Sequence, residues 1–492
     1  MKVLTCILLP LLSGAFFQQH AWTRPAPLRR TVEMVGSKRS VDRRSNDKNV
    51  QDDDQSRGSD SWKVLTVKLE SGKRGSGEAK ARFGKVATAK VADDGVDELQ
   101  CRHFFTCAGC SVKNGFDDTP VVRRAKRFFE SEGSAMTVHL GNVTAWRSHV
   151  KLAVQPLSKW GGLKIGLYKG GTHSVEPIPY CRVHHPRINE AVEVLHRAAV
   201  DVGVSGYAEA SKGQPAQGDL RYVQMSVDRS TGRIQLTLVW NALTFKEAGM
   251  NLPRLVKRLK SNPDLWHSVS VNFQTSESNA IFNFNPKAWQ TLWGPPLLRE
   301  QVGDAAFYFQ PQIFRQANLD AFEAGIIPLI AKNIPQGAVV AELYSGIGLV
   351  GLNVASRAKE VFCSDSNEYV DGVFDKCADS LPQADQEKVF YECFDAEEAV
   401  LQGQVDEADV LIVDPPRKGL DEGVLQLLLD THPEKSVPDL KRVVYISCGY
   451  DALERDTRAI LSSNRWKVRS VDGFILFPGS DHIETVVVYD RI

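Results

Sequence analysis

The chain carries no excess charge of either sign: 60 Lys and Arg face 60 Asp and Glu over 492 residues. That balance argues neither for nor against a nucleic-acid partner, because a basic patch can coexist with a neutral total, and local charge must decide. A long apolar run is missing as well. The apolar stretch within MKVLTCILLPLLSGA, residues 1–15, is too short for a stable membrane anchor. Nor is there a disulfide framework, since the nine cysteines are odd in number and irregularly spaced. What remains is an ordinary globular composition, 42% apolar, in a chain long enough for two or three domains.

Residues 1–15 combine one Lys, an apolar core and the small exit Ser13, Gly14 and Ala15, the pattern of a secretory signal. The following FFQQHAWTRPAPLRRTVEMVGSKRSVDRRSNDK has eight Lys or Arg against three acids, which is transit-peptide composition. A signal followed by a transit segment resembles the bipartite leader of algae with complex plastids. Plastid import is the expectation, with secretion or another organelle as the alternative and no membrane partner for the mature form. QDDDQSRGSD closes this leader region, 1–61, as a disordered linker.

Three cysteines, Cys101, Cys107 and Cys110, fall within CRHFFTCAGC, and Cys181 in IPYCRVHHP completes a four-thiolate set. Soft thiolates at this spacing suit an iron–sulfur cluster or structural zinc. The nearby His103, His184 and His185 keep zinc open, because zinc accepts mixed sulfur and nitrogen ligands. Cys363, Cys377 and Cys393 sit on or beside apolar elements and read as small buried hydrophobes.

Residues 62–95 read as a short β segment, short for an independent barrel. Residues 96–305 read as a β-rich α+β region that carries the cysteines and RNA. VVRRAKRFFE has helical spacing, AWRSHVKLAVQP and GLKIGLYKGG alternate like strands, and Ser230, Thr231 and Gly232 supply a hairpin turn. SVSVNFQ and AIFNF continue the strands. Arg123, Arg124, Lys126, Arg127, Arg147, Lys151, Lys164 and Lys169, interleaved with Trp146, Trp160 and Tyr168, suit phosphates and bases. A solvated cationic face is the plain alternative.

From 306 to 492 the pattern changes to strands alternating with helices. AVVAELYS, EVFCSD, KVFYEC, DVLIVD, RVVYISC, WKVRSVDGFIL and TVVVYD are the strands, and the last two lack room for a helix between them. The expectation is a doubly wound, seven-stranded Rossmann-like α/β sheet ending in an antiparallel hairpin, with its ligands beyond the strand ends.

Chemistry gathers at those ends. Gly346, Gly348 and Gly351 match the glycine fingerprint of dinucleotide sites, with Asp365 at the next strand end as a ribose acid. A dinucleotide-dependent oxidoreductase is therefore one reading. S-adenosylmethionine uses the same turn, and the later strand ends favour it. Asp414 opens Asp-Pro-Pro-Arg, whose prolines stiffen a loop that presents Asp414 and Arg417. Amino-methylating enzymes carry an aromatic residue where Arg417 stands, and cytosine C5 enzymes a cysteine after the proline. Cys448 ends the next strand and Glu484 begins the last one. A thiol to add to uracil C6, a carboxylate to remove the C5 proton and Arg417 to steady the O4 oxyanion make a coherent set.

CRHFFTCAGC with Cys181, FRQAN, LYSGIG, Asp365, VDPPRKG, ISCGYDALERD and HIETVVVYD together resemble the bacterial-type RNA uracil-5 methyltransferases, in particular their cluster-containing ribosomal RNA branch, over residues 98–492. The resemblance implies a four-iron four-sulfur cluster on Cys101, Cys107, Cys110 and Cys181. It implies S-adenosylmethionine against Gln316, Tyr344, Asp365 and Asp414, Cys448 as nucleophile and Glu484 as base. The implied substrate is ribosomal RNA in preference to tRNA, and the protein is expected to act as a monomer. Leu349 departs from the polar cofactor contact common in that family, and residues 62–95 offer only an eroded version of the RNA-binding barrel with which the family often begins. A non-catalytic cluster-bearing RNA-binding module is the remaining alternative.

Overall fold

A computed structural model describes residues 63–65 and 98–492, apart from 159–160, 211–213 and 279. The leader and linker, Trp160 and all of 62–95 except the strand Lys63–Leu65 lie outside the described residues.

The expected α/β sheet is present, with its seven strands in the order Val389–Glu392, Glu360–Ser364, Val339–Leu343, Val410–Val413, Arg442–Ser447, Glu484–Arg491, Trp466–Ile475. The first five are parallel, and Glu484–Arg491 inserts antiparallel between the last parallel strand and its own hairpin partner. Every residue of Val339–Leu343 and Val410–Val413 is buried, as a parallel sheet covered by helices on both faces requires.

Among the described residues the sheet has nine strands, not seven. Met136–Leu140 pairs parallel with Trp466–Ile475, and Lys63–Leu65 pairs antiparallel with Met136–Leu140. The reason is local. Trp466–Ile475 would otherwise be an open edge, and His139 stacks on Phe474 at 4.5 Å while its Nε2 meets Asp472 at 2.8 Å. The helix Pro120–Ser131 belongs here too. Arg124 pairs with Asp451 and, at 2.8 Å, with Glu454 on the helix Tyr450–Ser462, and Arg458 lies over the Phe128 ring. One of the cations expected on an RNA face is thus engaged within the fold.

The second sheet holds seven strands, in the order Val175–Pro177, Gly161–Tyr168, His149–Ser158, Leu220–Val227, Ile234–Trp240, Trp266–Phe273, Trp289–Trp293. The helices Pro186–Val202 and Asn251–Leu259 pack on each other, and the longer one lies against Gly161–Tyr168 and Leu220–Val227. AIFNF, expected as a strand, is a loop. The Asn272 side chain takes both backbone groups of Asn283, at 2.8 and 2.9 Å, in place of a strand ladder.

Candidate active site

Strand register brings the chemistry together. Ser447 lies opposite Thr485 in the antiparallel pair, so the next residues out, Cys448 and Glu484, also face each other. Val413 is the last partner in its parallel ladders with Val339–Leu343 and Arg442–Ser447, which sets Asp414 at the adjoining strand end. Asp365 follows Ser364 one strand beyond Leu343. Three carboxylates and a thiol thus line one edge of the sheet.

Their electrostatics follow from crowding in a low-dielectric place. Burial, then Glu484 and Asp414, push the Cys448 thiol up to about 11, and Arg417 works against them. Burial and the neighbouring Asp365 push Asp414 up to about 7. Glu484 is 3% exposed, and burial followed by Asp414 holds it well above the usual carboxylate range, with Arg417 again opposing. Arg417 itself is exposed, at the mouth of the site. Gly449 lets the two loops touch, because a Cβ there would sit 2.6 Å from the Arg417 carbonyl oxygen.

The glycine turn is more structural than its motif suggests. Asp365 accepts the Gly346 N–H at 2.9 Å with one oxygen and the Asn367 N–H at 2.9 Å with the other. A Cβ on Gly346, at φ 54°, meets nothing within 4 Å, so this glycine faces open space beside Asp365. Gly348 is required by packing, since its Cβ would lie 2.4 Å from the Phe374 ring. Leu349 is buried in the core. Tyr344 adopts the left-handed φ of 59°, and its hydroxyl donates to Asp421 at 2.9 Å, tying the glycine turn to the Asp414–Asp421 loop. Gln316 is half-buried and makes no side-chain hydrogen bond among the described residues. Its neighbour Asn318 caps the next helical turn through Ala321 N–H and donates to Leu476 O at 2.8 Å.

Two acids that hold this site went unassigned at the level of sequence. Asp456 is fully buried and accepts from the Tyr445 hydroxyl at 2.8 Å and the Leu420 N–H at 3.0 Å, while Arg455 donates to it at 2.9 Å. It joins the strand of Cys448 to the loop of Arg417. Its signal was an acid within ALERD, and acids two positions apart on a helix share no face, so nothing local named its partners. Glu342, an acid inside the apolar run VVAEL, accepts the Gly351 N–H at 2.8 Å and faces Cys363 at 3.3 Å. Burial pushes it up to about 8.

The four cysteines also meet. Cys101, Cys107, Cys110 and Cys181 ring a cavity of about 210 Å³ together with Trp146 and Arg147. Burial and the other three thiols push Cys110 up to about 12. Backbone amides of Val183 and His184 point at Cys181, and the Gly109 N–H donates to Cys107 at 3.1 Å. The Arg147 guanidinium lies near Cys110 and Cys181 and over the Trp146 ring. Among the described residues, no three of the metal-binding side chains converge as ligands of one ion. His185 is a helix cap, its ring accepting from the Arg187 N–H, and His103 meets Pro179 O at 2.9 Å. Cys363 and Cys377 are buried as expected, and Cys393 is half-buried.

Comparison with known proteins agrees with this picture. The family model described as tRNA (uracil-5-)-methyltransferase matches residues 382–492, which span Asp414, Cys448 and Glu484. An uncharacterized RNA methyltransferase of Protochlamydia amoebophila is 33% identical over 398 residues, 80% of this chain and 98% of that protein. One from Halalkalibacterium halodurans is 27% identical over 439 residues, 87% and 89% of the two chains. Among solved structures, the Pyrococcus abyssi tRNA (uracil-54, C5)-methyltransferase in complex with S-adenosyl-L-homocysteine has a similar fold. The TM-score is 0.60 at 20% identity, over 78% of this chain and 86% of the other.

Proposed function

The chain belongs to the RNA methyltransferases of the tRNA (uracil-5-)-methyltransferase family, and on that premise we propose that it methylates a uridine of RNA at C5 through a covalent adduct on Cys448. The observation that carries the reading is Cys448 facing Glu484 across two antiparallel strands, with Asp414 at the next strand end. This set uses the strand-end residues that a dinucleotide oxidoreductase would leave idle.

Uracil C5 is a poor nucleophile until a thiolate adds to C6 and makes C5 an enolate carbon. Cys448 is pushed up to about 11, so it rests as a thiol and needs Arg417 to favour its ionised form. The enolate carbon takes the methyl group from the sulfonium of S-adenosylmethionine, whose sulfur keeps the bonding pair as a neutral thioether. Glu484 then accepts the C5 proton, the C5–H electrons restore the C5–C6 double bond, and the C6–S bond breaks to return the thiolate. Once ionised, a carboxylate destabilised by burial is a strong base. Asp365, Gly346, Tyr344, Asp414 and Gln316 are the residues we assign to the cofactor, and the Asp365 carboxylate on the Gly346 N–H supports the pairing of the first two.

For the cysteine cavity we favour a four-iron four-sulfur cluster over zinc. A single zinc draws four ligands to one point, whereas a cluster binds each thiolate at a different iron. A ring of thiols around a cavity, with amides aimed at sulfur and a guanidinium beside them, is what an anionic cluster requires. Methyl transfer from a sulfonium needs no electron, so the group would serve structure and RNA placement. The cysteine set favours ribosomal RNA as the substrate, the composition of residues 1–48 favours the plastid, and we take the enzyme to act as a monomer. Transfer RNA is the second reading, because the matching family model and the similar solved structure are named for tRNA.

The decisive test is incubation with 5-fluorouridine RNA and labelled S-adenosylmethionine. Fluorine at C5 cannot be abstracted, so a labelled covalent complex is expected with the wild type and not with Cys448→Ala. Absence of the complex, or its persistence in the variant, overturns the mechanism. Mapping 5-methyluridine in organellar ribosomal and transfer RNA, with and without the protein, separates the two substrates.

A further inference from the structure

The cysteine cavity and the catalytic base share a segment of chain. Residues 476–483 join the last two strands, and Glu484 opens the second of these. Phe477, Pro478 and Ser480 of this segment line the cysteine cavity. Gly479 is pressed against a thiol: at φ 103°, a Cβ there would lie 3.0 Å from the Cys110 sulfur. Its carbonyl accepts two amides from the cysteine loop, Ser111 N–H at 2.7 Å and Val112 N–H at 3.0 Å. In return the Ser111 hydroxyl accepts the Asp481 N–H at 3.1 Å. Asp481 then accepts the Val121 N–H at 3.0 Å, at the start of the helix Pro120–Ser131. Phe477 stacks obliquely on Trp146, with ring centres 5.5 Å apart, and Arg147 lies over it.

Every one of these ties lies within seven residues of Glu484, and a buried base at the head of a strand inherits the position of the turn before it. We infer that the cysteine site positions the catalytic base: Cys110, Ser111 and Asp481 strap the 476–483 turn, and releasing the strap strands the reaction after methyl transfer. The inference rests on the uridine reaction proposed above. In that reaction the attack by Cys448 and the methyl transfer need no proton from or to Glu484. Removal of the C5 proton and expulsion of Cys448 do. Displacing the base therefore has a particular signature, in which the methylated adduct forms and is then released slowly.

The test uses Ser111→Ala and Asp481→Ala, each of which removes one side-chain tie of the strap without touching a cysteine, and Asp481→Asn, which keeps an oxygen for the Val121 N–H. With natural RNA and labelled S-adenosylmethionine, the two alanine variants are expected to form adduct at the wild-type single-turnover rate. They should release methylated RNA ~10- to 100-fold more slowly, the scale of a misplaced catalytic group. A denaturant-stable methylated complex should accumulate, S-adenosylmethionine affinity should be unchanged, and Asp481→Asn should restore release. Amide hydrogen exchange across 476–484 should quicken in the alanine variants alone, a readout independent of turnover. Equal slowing of adduct formation and release, or release at the wild-type rate, overturns the inference. If the wild type methylates no uridine, the reaction proposed above has failed, whereas a methylating wild type with no accumulation in Ser111→Ala refutes the strap alone.

Discussion

Two regions of this molecule hold cysteines that burial makes poor acids, and the two settings suit opposite chemistries. Cys448 is pushed up to about 11 and Cys110 up to about 12. The company differs. Around Cys110 stand three more thiols and a guanidinium, a set suited to giving up its protons to a metal group. Around Cys448 stand two carboxyl groups and one exposed guanidinium, a set suited to a single transient thiolate with a carboxylate to take a proton. The lesson is that a raised thiol says only that it is buried, and its neighbours decide whether it binds or reacts.

The contrast is broken most severely by Cys448→Ala, which should cost ~10³-fold or more in labelled methyl transfer, as loss of a covalent nucleophile does. Thermal unfolding should move little, because the thiol is only partly buried. Cys107→Ser should do the reverse, lowering iron content and visible absorption and dropping the melting temperature by roughly 5 °C. Its affinity for S-adenosylmethionine, read by calorimetry, should stay at the wild-type value. Arg417→Ala comes next, with a loss of ~10²-fold in kcat. Removing the cation that favours the thiolate should also shift the rising alkaline limb of the pH–rate profile to higher pH, which stopped-flow adduct formation would detect.

The smallest effect sharpens the electrostatic side. Glu342 sits at about 8 in the folded protein, above its ordinary value, so it is neutral there while the unfolded chain ionises from about 4.5. Its contribution to stability is full below about pH 4.5 and is lost as pH rises through about 8. Glu342→Gln keeps an acceptor for the Gly351 N–H and should remove that loss, stabilising the protein by ~1–3 kcal/mol at pH 8 and by little at pH 5. Urea titrations at the two pH values would measure it.

Much of the catalytic half was legible in the chain. Seven apolar runs, the first five separated by helix-length intervals, became seven strands, and the central parallel ones read as near-continuous apolar runs because a parallel sheet is buried on both faces. Asp414, Cys448 and Glu484 were readable because each directly flanks such a run. The boundary of the β-rich region was harder. Met136–Leu140 alternates like any strand, and nothing in its five residues says that its edge partner lies more than three hundred residues away. Likewise Arg124 reads as a phosphate contact until Asp451 and Glu454 appear beside it. His185 reads as a zinc donor until the helix that it caps is visible.

By itself the sequence determined the strands of the catalytic half, the residues at their ends and the four thiols, because periodicity and residue chemistry are local properties of the chain. Tertiary structure alone decided that Cys448 faces Glu484, that Asp456 joins the strand before Cys448 to the loop of Arg417 and that Cys110 leans on the turn before Glu484. Those relations depend on register and packing between segments remote in sequence, where a shift of one residue would turn each side chain to the opposite face.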